Sequence, residues 1–161
     1  VQSMAFIHQN LYESAGMNMV DMPNYIQNLV DHLWTAYQKE GESVHIQVDV
    51  KPMQLHMDLV VSIGMIINEL VTNSLKYAFT GQQNGLIRVT LSEVLNLYRL
   101  EVYDNGIGIP ESIDVAGANS FGYKMVRAFV QKLKGVMDIK RDAGTSIQIQ
   151  FSKRSNGINK L

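Results

Sequence analysis

Cysteine is absent from this 161-residue sequence, which excludes a disulfide framework and a cysteine-based zinc site and fits an intracellular setting. An excess of charge of one sign is also lacking, because 14 basic and 15 acidic residues leave a formal net charge of −1. We therefore predict neither a nucleic-acid partner nor electrostatic binding to a membrane surface. The phosphate-loop pattern G-x-x-x-x-G-K-[S/T] does not occur, which excludes a nucleotide site of that class.

A long uninterrupted apolar stretch is missing as well. The longest apolar segment, residues 59–75, is broken by the polar side chains of Ser62, Asn68, Glu69, Thr72 and Asn73. We therefore expect no membrane span there, and no signal peptide is recognisable. Because the chain starts with Val1, we expect a cytoplasmic piece of a longer protein, whose other parts are either soluble or membrane-anchored.

The composition that is present, 46% apolar and 18% charged residues, is typical of one globular domain with a sizeable core. Apolar periodicity predicts the end of a helix at 3–14 and further helices at 23–40, from about 59 to 79, and at 121–134. Alternation predicts strands at 44–50, 86–94, 97–104, 136–140 and 146–151. Together these elements predict an α+β fold, a two-layer α/β sandwich. Its mixed, mostly antiparallel sheet of about five strands is covered on one face by about three helices.

One helix carries a polar stripe that needs an explanation. At about 100° per residue, Ser62, Glu69, Asn73 and Lys76 fall on one side of the predicted helix that starts near residue 59. The remaining positions of that helix are mostly aliphatic, so the helix is expected to be largely buried. Polar and charged groups on a buried helix are costly unless something satisfies them. The stripe therefore predicts a bound ligand.

Three glycine-containing segments could form the other half of a site. Residues 104–110 read Asp-Asn-Gly-Ile-Gly-Ile-Pro at the end of a predicted strand, where Gly106 and Gly108 would let the backbone approach a ligand closely. Residues 120–124 lead into a helix whose N-terminus can bind an anion, with Lys124 as a counter-charge. Taken separately, the first segment is equally consistent with a plain turn, and the second is better explained as a simple helix start. The Gly144-Thr145 pair on its own indicates only a hairpin turn.

The combination is more specific than its parts. Asn-Glu-Leu-x-x-Asn-x-x-Lys-Tyr on a helix, Asp-x-Gly-x-Gly after a strand, Phe-Gly-Tyr-Lys-x-Val and a final Gly-Thr occur in one order. Over about residues 22–152 this resembles the ATP-binding domain of sensor histidine kinases, within the superfamily that includes gyrase, MutL and related chaperones. Residues 3–14 resemble the end of a dimerisation and phosphoacceptor region. We therefore expect that region at 1–15, the ATP-binding domain at 16–152 and a polar tail at 153–161.

At the phosphate end, the resemblance implies three roles on the helix. Asn73 would ligate Mg²⁺ through its side-chain oxygen, as suits a hard cation shared with triphosphate oxygens. Glu69 would activate or orient the attacking group, and Lys76 would reach phosphate. Because phosphoryl transfer depends mostly on positioning and charge neutralisation, a metal ligand, a carboxylate and a lysine are the kinds of group that it requires.

At the base end, Asp104 would accept a hydrogen bond from the adenine amino group, supported by Thr145 directly or through water. Tyr77 would line the nucleotide pocket. The resemblance also implies a lid that closes over the phosphates and is bounded by glycines: Gly106, Gly108 and Gly122. Two positions depart from the common pattern, Ser120 in place of a first lid-end glycine and Ala143 before Gly144.

The implied function is binding of ATP or ADP with Mg²⁺ and donation of the γ-phosphoryl group to a histidine outside this chain. The four histidines, His8, His32, His45 and His56, do not stand in a phosphoacceptor-like context. The resemblance also implies a downstream response regulator and a homodimer in the full-length protein. Two alternatives stay open: an anti-sigma-type serine kinase and a non-catalytic nucleotide-binding scaffold.

Overall fold

The computed structural model describes residue 5 and residues 19–41, 43–81, 84–113 and 121–153. Its helices are α1 (Met22–Tyr37), α2 (Met57–Asn73) and α3 (Phe121–Lys132), and a π-helical turn, Ser74–Ala78, continues α2. Its strands are β1 (Met19–Asp21), β2 (Val44–Val50), β3 (Gln54–His56), β4 (Gly85–Val94), β5 (Leu97–Asp104), β6 (Val136–Lys140) and β7 (Thr145–Ser152). Apart from residue 5, the helix predicted at 3–14 lies outside the described residues, as does the tail after residue 153.

The main sheet has five strands in the order β2-β4-β5-β7-β6, with β2 parallel to β4 and the other pairs antiparallel. The predicted α+β class and the mixed, mostly antiparallel sheet are therefore confirmed. A second sheet pairs β1 with β3, and neither of these strands was among those predicted. Three-residue strands carry too little alternation to be recognised, and their pairing is decided by the partner strand.

Strand β7 shows why the sheet has one buried face. Its inward positions are buried and mostly apolar (Thr145, Ile147, Ile149 and Phe151). Its outward positions are polar, and Ser146 and Gln148 both donate hydrogen bonds to Glu101 on β5, at 2.6 and 3.3 Å. Period-two alternation thus places the helices on one side of the sheet and a polar surface on the other.

Helix α2 is the central element of the helical layer. The continuous helical segment Met57–Ala78 is long and apolar enough, by length and composition alone, to cross a membrane. However, 72% of its most apolar window is buried inside the protein, and α2 packs against both α1 and α3. Burial in the core therefore explains the apolar character of this segment.

Helix ends differ from the predicted bounds by a few residues. Pro23 occupies the first turn of α1 as expected, but α1 ends at Tyr37 because Gln38 leaves the helical conformation, with φ −56° and ψ 138°. Similarly, α3 ends at Lys132, and Lys134 has a positive φ of 51° before β6 begins. Helix ends depend on capping contacts that periodicity does not report.

The α1–α2 contact yields a prediction for stability. Tyr25 is buried with its hydroxyl oxygen unpartnered among the described residues, and a Cβ added at Gly64 would lie 2.0 Å from that oxygen. Gly64→Ala is therefore expected to cost about 1–3 kcal/mol through overpacking. Tyr25→Phe is expected to change stability by less than about 1 kcal/mol, because it removes an unsatisfied hydroxyl.

In the Tyr25→Phe background, Gly64→Ala should cost clearly less, since the closest atom is gone and alanine favours the helix, while the ring carbon Cζ would still lie 3.1 Å from the new Cβ. Chemical denaturation of the native chain, both single variants and the double variant measures this coupling. Additive effects of the two substitutions would contradict the proposed contact.

Candidate functional site

A cavity of about 720 Å³ lies where the C-terminal end of α2, the end of β5, the start of β7 and the start of α3 meet. Eight of the residues singled out in the sequence line it: Glu69, Asn73, Lys76, Tyr77, Asp104, Gly108, Gly122 and Thr145. The fold therefore brings together side chains from four separate segments of the sequence.

Asp104, the last residue of β5, is the buried acid of this cavity, with 4% of its surface exposed. The Ser74 hydroxyl donates to Oδ2 at 2.7 Å, and the Gly106 N–H donates to Oδ1 at 3.0 Å. The backbone N–H of Thr145 donates to the same carboxylate. Burial raises the pKa of Asp104 above its usual range, although all three hydrogen bonds act in the opposite direction.

The end of α2 differs from the single uniform helix predicted up to residue 79. From Ser74 to Ala78 the backbone forms a π-helical turn, and both ends of this turn are held by other segments. The Ser74 hydroxyl bonds to Asp104, and the Ala78 carbonyl accepts the Ile107 N–H at 2.9 Å. Such turns within α-helices are frequent at functional sites, and here tertiary hydrogen bonds account for this one.

Two glycines permit the close packing around Asp104. A Cβ at Gly106 would lie 2.3 Å from the Ala78 carbonyl oxygen; Gly106 is buried beside the cavity without lining it. Gly144 has a φ of 115°, and a Cβ there would lie 2.0 Å from the Asp104 carbonyl oxygen. Both contacts require a residue without a side chain.

The polar end of the cavity is formed by Glu69 and Asn73, which face the start of α3. A Cβ at Gly122 would lie 2.9 Å from Glu69 Oε2 and 3.7 Å from Asn73 Nδ2. Ser62, the fourth member of the predicted stripe, is buried away from the cavity and donates to the Asp58 carbonyl at 3.3 Å. The stripe therefore divides into a cavity-facing part and a part satisfied within the helix.

The two predicted lysines occupy different surroundings. Lys76 borders the cavity, and its ammonium nitrogen lies 5.1 Å from the centre of the Tyr37 ring. Its carbonyl accepts a hydrogen bond from Lys39 at 2.9 Å. Lys124 is exposed on α3 and is not part of the cavity lining.

The apolar wall of the cavity was not identified from the sequence. It consists of aliphatic side chains on four segments: Leu70, Val102, Ile107, Ile109, Ile113 and Ile147. Alternation of isoleucine with glycine in 106–109 was a usable signal for part of it. Ser74 was also missed, although on an ideal helix it would follow the aliphatic face of Ile63 and Ile67, where a lone hydroxyl is unusual.

The arrangement has a clear chemical meaning. A carboxylate at the base of an aliphatic cleft can accept a hydrogen bond from an amino group on a flat, apolar ring. The volume lies within the range of small-molecule and cofactor sites. At the other end, an amide and a carboxylate on α2 can serve a charged group or a hard cation.

Comparisons with known proteins match two parts of the chain. The family model described as histidine kinase-, DNA gyrase B-, and HSP90-like ATPase matches residues 58–155, and a histidine kinase family model matches residues 1–37. Blue-light-activated histidine kinase 2 of Erythrobacter litoralis (strain HTCC2594) is 28% identical over 111 residues, 68% of this chain and 32% of that protein. The chain thus spans about a third of the length of this relative.

Two further similarities concern the fold and the alternative function. The solved histidine kinase domain of the Erythrobacter litoralis EL346 blue-light activated histidine kinase superposes with a TM-score of 0.83 at 21% identity, covering 94% of this chain and 71% of that chain. Anti-sigma F factor of Geobacillus kaustophilus (strain HTA426) is 28% identical over 83 residues, 50% of this chain and 57% of that protein. The first similarity extends over more of the chain.

The raised pKa of Asp104 predicts a pH-dependent stability. The pKa of Asp104 in the folded state lies above its ordinary value of 3.8. Protonation of Asp104 therefore stabilises the folded state, and this effect is fully present below pH 3.8. It is lost as the pH rises through the folded pKa. The stability of Asp104→Asn relative to the native chain should therefore increase from pH 3.8 upward and level off above the folded pKa.

Denaturant unfolding across this pH range measures the effect. Asp138→Asn, on the exposed side of β6, is the matched control for replacing an aspartate outside the cavity. A stability difference between Asp104→Asn and the native chain that does not change with pH would contradict the prediction.

Proposed function

Because this chain belongs to the family of histidine kinase-, DNA gyrase B- and HSP90-like ATPases, we propose that it is the ATP-binding catalytic domain of a two-component sensor histidine kinase. In this proposal it donates the γ-phosphoryl group of ATP to a histidine outside the chain. The observation that carries the proposal is the buried, triply hydrogen-bonded Asp104 at one end of a cavity whose other end holds Glu69 and Asn73.

The adenine ring is proposed to lie at the Asp104 end. Two of the donors to this carboxylate are backbone N–H groups, and the third is a serine hydroxyl. Both carboxylate oxygens are therefore fixed, and a remaining lone pair can accept from the adenine amino group. Thr145 contributes its backbone N–H to Asp104, which supports the expected assisting role, and its side chain borders the same cavity.

The triphosphate and Mg²⁺ are proposed to occupy the polar end. Among the described residues no three His, Cys, Asp or Glu side chains cluster as a metal site. Mg²⁺ commonly takes one or two protein ligands and completes its shell with phosphate oxygens and water. Asn73 is the proposed ligand. When bound, Mg²⁺ would neutralise charge on the phosphates; Glu69 would orient the attacking group.

The other predicted residues receive supporting roles. Lys76 would leave the Tyr37 ring to reach phosphate, and Tyr77, which is 66% exposed at the cavity, would cover the nucleotide. The exposed Lys124 would act as a counter-charge at longer range. The proposed lid is bounded by Gly106, Gly108 and Gly122; residues 114–120 between them lie outside the described part of the chain.

Two alternatives are less well supported. The similarity to an anti-sigma factor covers half of the chain. An anti-sigma-type serine kinase would not explain why a histidine kinase family model matches residues 1–37. A non-catalytic scaffold would not need Glu69 and Asn73 at the same cavity. For the whole protein we propose a cytoplasmic location of this domain, a homodimer, a phosphoacceptor domain and a response regulator as partner.

The first test is nucleotide binding. The native chain should bind ADP and ATP with Mg²⁺ at micromolar to millimolar affinity, measured by calorimetry. Asp104→Asn should weaken binding about tenfold or more, because a hydrogen bond to a charged group contributes about 1.5–3 kcal/mol. Asp138→Asn should bind as the native chain does. No binding at millimolar nucleotide would refute the proposal, and native affinity in Asp104→Asn would remove that residue from base recognition.

The second test separates chemistry from binding. Glu69→Gln should lower the rate of phosphoryl transfer to a supplied phosphoacceptor domain by about 10²-fold or more, as for loss of a general base, with nucleotide affinity changed less than threefold. Glu40→Gln, at an exposed position after α1, is the control. A native transfer rate in Glu69→Gln would show that this carboxylate has no catalytic role.

A further inference from the structure

Arg141, in the turn between β6 and β7, contacts the segment that forms the exposed wall of the cavity. Its Nη1 donates to the Pro110 carbonyl at 3.2 Å, and its Nη2 donates to the Ile113 carbonyl at 3.0 Å. The Ile113 N–H in turn donates to the Pro110 carbonyl at 2.9 Å. One guanidinium thus spans both ends of a short turn. Arg141 itself is half-buried and does not line the cavity.

The segment held in this way has little burial to fix it. Ile107 is 63% exposed and Ile113 is 42% exposed, yet both line the cavity together with Ile109 and Pro110. Exposed segments with few buried contacts open at low free-energy cost. Hydrogen bonds to a fixed turn therefore have a larger influence on the position of this wall than they would have in the core.

The turn that carries Arg141 packs against the backbone of Gly108. A Cβ at Gly108 would lie 3.3 Å from the Gly144 carbonyl oxygen and 3.8 Å from the Arg141 carbonyl oxygen, so the two backbones are in contact. Thr145, directly after this turn, pairs with Asp104 in the sheet. The 107–113 wall thus contacts the turn that leads directly into Thr145, whose N–H donates to the buried Asp104 carboxylate.

Arg141 also influences a lining residue of α3. Burial raises the pKa of Tyr123, a lining residue of α3, and the negative charge of Asp104 adds to this rise. The positive charge of Arg141 lowers the same pKa. The guanidinium therefore influences both the 107–113 segment and a lining residue of α3.

We propose that Arg141 is a positioning residue that sets nucleotide affinity by holding the aliphatic wall at 107–113 against the adenosine half of the ligand. This inference rests on the proposed nucleotide-binding function. Arginine suits the task because its planar fork donates two hydrogen bonds in a fixed geometry, whereas lysine presents a single flexible point charge. Since the wall contacts the adenosine half, the effect should not depend on the number of phosphates.

The test compares Arg141→Met, Arg141→Lys and the control Arg99→Met, which lies on the exposed face of β5. Dissociation constants for ADP and for the non-hydrolysable analogue AMP-PNP are measured with Mg²⁺ by calorimetry. Amide hydrogen exchange of Ile113 is measured in the nucleotide-free chains. Arg141→Met should weaken binding of both nucleotides by the same factor, about tenfold, and should accelerate exchange at Ile113.

Arg141→Lys should give an intermediate loss of nucleotide affinity. If Arg141→Met does not fold, the affinity of Arg141→Lys decides whether Arg141 has the proposed role. Arg99→Met should match the native chain in both measurements. Native affinity in the Arg141 variants, or a loss confined to AMP-PNP, would overturn the inference while leaving the proposed function intact. Failure of the native chain to bind either nucleotide would overturn both.

Discussion

The hydrogen bonding of the Asp104 carboxylate is the constraint on which the site depends. An ionised carboxylate in an apolar surrounding is unfavourable unless donors compensate for lost water, and here Ser74, Gly106 and Thr145 supply them. These donors belong to the end of α2, the loop after β5 and the start of β7. Satisfying one buried charge therefore ties three segments together, and the π-helical turn and the crowded glycines are consequences.

This arrangement divides the cavity into parts of different rigidity. The buried ends of α2, β5 and β7 belong to the core, where close packing leaves little freedom. The wall at 107–113 is largely exposed and is held by the contacts of Gly108 and by Arg141. A ligand would thus meet a preformed acceptor on one side and an adjustable apolar surface on the other. The fixed acceptor allows selective recognition of a ligand, and the adjustable wall allows the ligand to enter.

The sequence analysis identified most of the polar groups and few of the apolar ones. Glu69 and Asn73 stood out because polar residues on a buried helix are unusual, and Asp104 stood out because it precedes two glycines at the end of a strand. All three line the cavity. Isoleucines give no such signal, since an aliphatic side chain in a core and one in a ligand wall look alike in sequence. Lys124 was selected for its position near a helix start, but its exposed side chain lies outside the lining.

Local periodicity by itself determined the three described α-helices, the strands of the main sheet and the α+β class, because alternation and helical spacing report directly which face of an element is buried. Short-range pattern also indicated Asp104 and the α2 stripe. Tertiary structure alone decided the β1–β3 pairing, the π-helical turn, the partnership of Ser74 with Asp104 and the reach of Arg141. Each of these depends on groups distant in the chain meeting at hydrogen-bonding distance, and no local pattern encodes that distance.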